Sequence, residues 1–488
     1  MALLPVALSV PHVQRPGYIR SVRVVLISTY DLGRQPFGLA SPAAWLRDAG
    51  VEVTCTDLSR TRLPQDAIRD AALVGFFLPM HTATRLALPV IDRVRGLNPS
   101  ATLVAYGLYA PLNEDLLRER GVDQILGGEF EEQLADAARS TLTSLLPTPQ
   151  ETVSDSLEVD AWKSSVDSPP NPIPRLAFKR PFRDGLPPLD KYAALQVGPS
   201  RHVVGYTEAS RGCKHHCRHC PIVPVYNGRF RVVPPDIVID DVRAQVAAGA
   251  THVTFGDPDF FNGIRHARDV VERFAREFPK VTYDVTIKVE HLLKHADALP
   301  LLHHTGCAFV TSAVEALDDR VLALLDKGHT RADFERAVDL CEHAELAISP
   351  TFVTFTPWTT TESYLDFLRI IDELGLVENV APIQLAIRLL VTSRSRLLEL
   401  EDIERIIRPF DQISLTYPWQ HGDPRVDALH DLVSRIVGVR MNAPRADVFS
   451  RVWDAAHRHA GVEPPQRCEV PVLRARATIP YLTEPWYC

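Results

Sequence analysis

Three cysteines stand within eight positions in Arg211-Gly-Cys213-Lys-His-His-Cys217-Arg-His-Cys220, a C-x-x-x-C-x-x-C spacing. Three thiolates on one loop can hold three irons of a cubane cluster and leave the fourth iron without a protein ligand. S-adenosylmethionine can chelate that iron through its amino and carboxylate groups. An electron from the cluster can then cleave the sulfonium and release a 5′-deoxyadenosyl radical. The competing chemistry is zinc. Structural zinc takes four ligands, usually as two separated pairs, and His215, His216, His219 or a distant cysteine could complete the set. Eight cysteines in 488 residues are too sparse for a disulfide scaffold, so clustered thiols point to metal or redox chemistry.

The loop needs a frame, and the flanking pattern supplies one. Six apolar runs read as strands: Val203–Ala209, His252–Gly256, Thr282–Lys288, Ala308–Ala313, Ile348–Phe355 and Ile383–Leu389. Most are followed by an amphipathic helical stretch. Six βα units predict a partial (β/α)6 barrel, whose chemistry lies at the carboxyl ends of its strands. The cysteine loop directly follows the first of them. A separate alternation precedes it, with strands at Val22–Ser28, Val51–Cys55, Ala72–Leu78, Thr102–Tyr106 and Val122–Leu126. That pattern predicts a doubly wound parallel sheet covered by helices on both faces. The expected α/β organisation is an N-terminal Rossmann-like domain over 1–140 and a Pro-rich linker over 141–200. A barrel core follows over 201–395, then a helical and irregular extension over 396–488.

Composition excludes several classes. The net charge is −8, which gives no reason to expect nucleic acid or a membrane surface as partner. No charge-free apolar stretch reaches the roughly 18 residues of a membrane span, and the apolar N-terminus lacks the positive region of a secretory signal. A cytoplasmic location is expected.

With its cysteine motif and the strand before it, the chain resembles the radical SAM superfamily over about residues 203–395. The resemblance implies that Cys213, Cys217 and Cys220 hold a 4Fe-4S cluster and that S-adenosylmethionine is the second cofactor. It also implies an unknown substrate and an electron donor such as flavodoxin or ferredoxin. His219 stands where the superfamily usually has an aromatic residue beside the adenine. Gly256 and Asp257 occupy the place of its Gly-Gly-Glu-like turn, with Asp259 just beyond, and would face the methionine amino group. Val314-Glu315-Ala316 and the downstream Lys327-Gly328 resemble its Glu-Ser turn and Lys-Gly, which gives Glu315 the cofactor's amino or ribose groups. Lys288, Glu290 and Arg388 are candidates for the carboxylate and ribose. No side chain stands out as substrate acid or base. The rival class is a non-enzymatic zinc-binding interaction protein on a βα scaffold.

The N-terminal region is similar to the cobalamin-binding domain often placed before radical SAM domains. Gly127-Gly-Glu129-Phe-Glu131 resembles its Gly-Glu-x-Glu signature. The Asp-x-His-x-x-Gly motif is absent, and Tyr30-Asp31-Leu-Gly33 stands in its place, so no histidine from that motif can ligate cobalt. Cobalamin binding, with methyl transfer as its use, and a cobalamin-free docking role both stay open. Thr483-Glu-Pro-Trp-Tyr-Cys488 resembles the tail of the CUAEP/CCAEP-tail radical SAM group, in which a second cysteine or selenocysteine follows the first.

Overall fold

The computed structural model describes residues 23–145, 175–440, 443–467 and 481–482. Five strands build the first sheet: β1 (Arg23–Ser28), β2 (Glu52–Asp57), β3 (Leu73–Phe77), β4 (Thr102–Tyr106) and β5 (Gln124–Leu126). All pair in parallel, in the order β2-β1-β3-β4-β5. Strand period two sends Val25, Ile27, Val74 and Phe76 to one face, against Ala87, Ile91 and Val94 of the helix His81–Leu97. It sends Val24, Leu26, Leu73 and Val104 to the other, against Leu39 and Leu46 of the helix Phe37–Asp48 and Leu134 of the helix Glu131–Leu145. Burial on both faces explains why the central strands read as unbroken apolar runs. The chain reverses direction across the sheet between β1 and β3. A crevice opens at such a switch point, beyond the carboxyl ends of the strands.

Residues 175–193 run between the two sheets and are tied to the first. Phe182 N–H donates to Ala40 O (2.8 Å) and Ala193 N–H to Gly33 O (2.8 Å). A hairpin follows, formed by β6 (Ala194–Val197), which lies in the expected linker, and β7 (Ser200–Thr207), the expected first barrel strand. Then comes a two-stranded ribbon, β8 (Ser210–Gly212) with β9 (Phe230–Val232). The parallel barrel strands continue as β10 (His252–Phe255), β11 (Thr282–Thr286), β12 (Cys307–Glu315) and β13 (Ile348–Phe352). A short β14 (Tyr481–Leu482) pairs with β6, and the sheet order is β13-β12-β11-β10-β7-β6-β14.

The arc is open, and five parallel barrel strands form where six were expected. The sixth candidate, Ile383–Leu389, becomes a 3₁₀ turn at Pro382–Leu385 and a single parallel bridge, Phe355 to Arg388. The physical reason lies in the turn. Pro382 brings a fixed φ and no N–H, and the Gln384 side chain accepts from Phe352 N–H (2.7 Å), taking the place of a ladder bond. The helices Pro424–Val439 and Arg445–His459 pack Val433, Phe449 and Val452 into the same core as the barrel. Among the described residues no helix is long and apolar enough to cross a membrane.

Candidate active site between the two sheets

The cysteine loop is gripped at both ends by the β8–β9 ribbon. Gly212, just before Cys213, has φ +72°, and a Cβ there would lie 2.4 Å from Arg229 O, so only glycine fits the entry. Cys213 and Cys217 are buried and Cys220 half-buried. The loop is pinned from outside: Arg218 N–H donates to Leu325 O (2.9 Å), Ser395 Oγ to Arg218 O (3.1 Å) and Arg396 to His216 O (2.7 Å). Burial pushes the Cys220 thiol up to about 12, and the other two sulfurs add to it, while Lys327 opposes. Such thiols become ligands only when a cation replaces the proton. Lys288 Nζ lies 3.8 Å from Cys217 Sγ.

Two buried carboxylates flank the loop. Asp259 lies 2.6 Å from His291 Nδ1 and 3.4 Å from His215 Nε2. Neither contact has hydrogen-bond geometry, so Asp259 Oδ2 and both ring nitrogens are buried without an ordinary partner. Burial raises the Asp259 carboxyl, but the two imidazoles outweigh it and hold it at about 2. Glu315 ends β12 at φ +73°, a strained conformation for a non-glycine residue. It accepts from Lys327 Nζ (3.3 Å) and lies 3.2 Å from His219 Nε2. Against the upward push of burial, Lys327 and His219 hold this carboxyl well below the usual range. His329 is buried with neither ring nitrogen partnered. Burial, then the charges of Lys327 and Lys288, push it down to about 4, so it is neutral at pH 7.

Orphaned polar atoms therefore ring the three thiols: His215 Nε2, His219 Nδ1, Asp259 Oδ2, His291 Nδ1 and both nitrogens of His329. Buried polar atoms are almost always paired. A concentration of unpaired ones around three thiols fits a polar, charged group seated there, as a cluster with S-adenosylmethionine would be.

The other predicted residues are placed differently. Gly256 is filled by Tyr206, whose hydroxyl would lie 1.8 Å from a Cβ at that position. Asp257 is committed to the backbone before the loop, accepting from Ala209 N–H (3.0 Å) and Ser210 Oγ (2.5 Å). Burial pushes its carboxyl up to about 7 despite those bonds. Arg388 pairs with Asp427 (2.7 Å), donates to Trp419 O (3.0 Å) and stacks on the Trp419 ring, so its guanidinium is occupied outside the loop's surroundings. Glu290 is half-buried, 3.5 Å from His215 Nδ1 and 3.7 Å from Lys288 Nζ. His215, named as a possible zinc ligand, and Lys327, named for its Lys-Gly, join the site, and so do His291 and His329, which had not been singled out. His215 lies inside the motif and Lys327 in the quoted Lys-Gly, but no local pattern marks His291 or His329.

Arg211 was also not singled out. It sits before the cysteine loop, 7% exposed, and pairs with Glu208 (2.7 Å), Glu129 (3.3 Å) and Glu131 (2.6 Å). Ser41 donates to Glu131 (2.6 Å). The Gly-Gly-Glu-Phe-Glu signature thus clamps the arginine that leads into the cysteine loop, and the two sheets meet there.

Beside this clamp one cleft joins the two carboxyl edges. Its empty volume is about 1270 Å³, open solvent included. Asp31, Phe77, Gly107 and Gly128 line it from the first sheet, and Tyr206, Glu208, Thr254 and Asp284 from the second. Among the described residues no histidine lines it. Its mouth on the first sheet carries Gly107 and Gly128 beside the larger side chains of Arg34, Phe37, Phe77 and Phe130. Cys468 and Cys488, with the tail resemblance, lie outside the described residues.

Residues 207–374 match the model of the radical SAM superfamily. Bacteriochlorophyllide d C-12(1)-methyltransferase of Chlorobaculum tepidum is 24% identical over 248 residues, covering 49% of this chain and 52% of that protein. A tRNA-2-methylthio-N(6)-dimethylallyladenosine synthase of a Sulfurihydrogenibium species is 28% identical over 203 residues, covering 38% and 43%. The match thus spans about half the length of these curated relatives. The cobalamin-dependent radical enzyme OxsB, solved with aqua-cobalamin and S-adenosylmethionine bound, superposes with a TM-score of 0.64 at 14% identity, over 90% of this chain and 72% of that one. The radical S-adenosylmethionine methyltransferase TsrM from Kitasatospora setae, solved with cobalamin and a [4Fe-4S] cluster, gives 0.57 at 16% identity, over 92% of each.

The fold is that of a cobalamin-binding-like sheet joined to a curled half-barrel. Residues 207–374 thus carry a radical SAM domain, and its relatives are enzymes, which favours an enzyme over a non-enzymatic zinc scaffold. A 4Fe-4S cluster and S-adenosylmethionine are the cofactors that the family implies.

Proposed function

We propose that the chain cleaves S-adenosylmethionine reductively at a cluster held by Cys213, Cys217 and Cys220, and transfers a methyl group with cobalamin seated in the inter-sheet cleft. The observation that carries the reading is the continuity of that cleft. It runs from the switch-point edge of the first sheet past the clamp into the barrel interior. When bound, the cluster supplies the electron that splits the sulfonium into methionine and a 5′-deoxyadenosyl radical, and cobalamin supplies a carrier for the methyl group.

The chain's own groups orient and hold. Glu315 stays ionised and, with Lys327 and His219, presents a fixed carboxylate, an ammonium and an imidazole to the methionyl and ribose groups of the cofactor. Asp259 stays ionised between His215 and His291 and sets the imidazole orientation beside the cluster. Neutral His329 offers one donor and one acceptor. Arg211 and its three carboxylates fix the loop relative to the first sheet, and Phe37, Phe77 and Phe130 along the cleft exclude water. A cytoplasmic location and a flavodoxin- or ferredoxin-type donor accompany this reading.

The test is anaerobic reconstitution with iron, sulfide and hydroxocobalamin, followed by a dithionite assay for 5′-deoxyadenosine. About four irons and one cobalt per chain are expected. The Co(II) electron paramagnetic resonance spectrum should lack splitting from a protein histidine. Iron with nucleoside release but no cobalt would remove the methyl-transfer part and leave the radical part standing.

A further inference from the structure

Barrel interiors are ordinarily packed with branched apolar side chains, and this one is polar. Strand alternation sends Val253, Phe255, Tyr283, Val285, Val310 and Val314 outward into the helix-covered core. The opposite faces carry His252, Thr254, Thr282, Asp284, Thr286 and Thr311. Asp284, in the middle of β11, is 5% exposed. Its Oδ1 lies 2.8 Å from His252 Nε2 and accepts from Thr254 Oγ1 at 2.6 Å. Its Oδ2 accepts no hydrogen bond among the described residues, and the residue lines the cleft together with Thr254, Thr286 and Thr311.

The partners fix the orientation of the carboxylate. His252 Nδ1 lies 2.7 Å from Thr282 Oγ1, so the ring is held between Thr282 and Asp284, and Asp284 Oδ1 is taken up by His252 and Thr254. His252 stacks on Phe309 (6.2 Å, 5° between planes) and closes the floor beneath it. Carboxyl groups along the cleft (Asp31, Glu208, Asp257 and Asp284) outnumber the guanidinium groups of Arg34 and Arg211, and Arg211 is spent on Glu129, Glu131 and Glu208. At the floor, among the barrel strands, the carboxyl group is that of Asp284, with one oxygen free to accept. A cation with N–H donors is the ligand that such an oxygen takes.

We infer that Asp284 anchors an ammonium group of the substrate, with the Thr286 and Thr311 hydroxyls accepting its remaining protons. The substrate class is an amine-bearing compound that enters the barrel amine first. This rests on the radical SAM reading in taking the barrel as the substrate chamber. S-adenosylmethionine also carries an ammonium group, but Lys288, Glu315 and the cysteine loop stand at or beyond the carboxyl ends of the strands, whereas Asp284 stands mid-strand.

The probe is n-butylammonium, compared with n-butanol and butyrate by saturation-transfer NMR on the full chain. Binding of the ammonium probe about tenfold tighter than either analogue is expected. Asp284→Asn should abolish that preference, and Thr286→Val should reduce it. Equal binding of butanol and butylammonium to the wild type overturns the inference without any variant, and so does a preference that survives in Asp284→Asn. Equilibrium dialysis of S-adenosylmethionine with reconstituted protein separates the two ammonium sources. Unchanged affinity in Asp284→Asn supports a substrate anchor, whereas a tenfold loss assigns Asp284 to the cofactor and overturns it. The radical reading is tested separately by 5′-deoxyadenosine release from the wild type, so the two can fail independently.

Discussion

The carboxylates at the barrel mouth and those at the inter-sheet contact are equally buried and respond in opposite ways. Asp259 and Glu315 are held low because cations and imidazoles outweigh burial. Glu129 and Asp257, 1% and 2% exposed, are both pushed up to about 7 because burial outweighs their partners. Arg211 lowers Glu129, but Glu131 and Glu208 compete for the same guanidinium. The mouth is thus built to keep its charges across the physiological range, as a site for charged cofactors must. Glu129 at the contact between the sheets and Asp257 behind the cysteine loop are close to titrating, which makes that side of the site the softer one.

The largest effect that sharpens this contrast is at the thiols. Cys213→Ala, Cys217→Ala and Cys220→Ala should each abolish bound iron and 5′-deoxyadenosine release. Cys55→Ala, Cys307→Ala and Cys341→Ala should keep both, since Cys307 and Cys341 are buried hydrophobes and Cys55 lies on β2 of the first sheet. Iron quantification checks this, and loss of iron in Cys307→Ala with retention in Cys217→Ala would reassign the ligands.

Next is the clamp. Arg211→Met leaves Glu129, Glu131 and Glu208 without their cation, at a cost of about 3–5 kcal/mol. Chemical denaturation should show that loss, and limited proteolysis should cut residues 175–193 faster than in the wild type. A stability equal to wild type would mean that the contact between the sheets does not depend on the clamp.

Asp259→Asn should lower cluster retention by up to about 10-fold, the low end of outer-sphere effects, because Asp259 holds His215 beside Cys213 without touching a cluster ligand itself. Iron loss against a chelator measures it, with the wild type as reference. A retention half-life equal to wild type would show that His215 and His291 need no carboxylate between them.

The smallest expected effect is pH dependence. Glu129 and Asp257 have folded pKa values raised above their unfolded ones, so the native state binds more protons between the two. The stability they contribute is complete below about pH 4 and is lost as pH rises through about 7. Asp259 and Glu315 work in the other direction, contributing above pH 5 and losing it only in strong acid. Of these four carboxyl groups only the first pair titrates between pH 5.5 and 8; Asp31, also pushed up to about 7, adds to it, and His329, held at about 4, works against it, so the melting temperature of the apoprotein should fall, by roughly 2–4 °C per kcal/mol lost. Glu129→Gln should flatten that slope. A melting temperature that rises over this interval would place other groups in control.

The cysteine spacing, the period-two runs and their alternation with amphipathic stretches were enough to read the cluster motif and the two βα sheets. Those features are local: a C-x-x-x-C-x-x-C loop and a buried parallel strand each declare themselves within a few residues. The sixth barrel strand failed because Pro382 and the Gln384 side chain decide it, through a bond to Phe352 that no window along the chain contains. Glu129 and Glu131 were legible as a signature but not as partners of Arg211, 82 and 80 positions away in sequence. Arg388 carried a plausible charge for a cofactor, yet Asp427 and Trp419 occupy it.

The sequence by itself determined the cysteine motif and the alternation of strands and helices, because thiol spacing and strand alternation are written in consecutive residues. Tertiary structure alone decided which carboxylates stay charged and which titrate, how His291, His329 and Asp284 face their neighbours, and that one cleft joins the two sheets. Burial and through-space charge set those properties, and both depend on groups that meet only after the chain has folded.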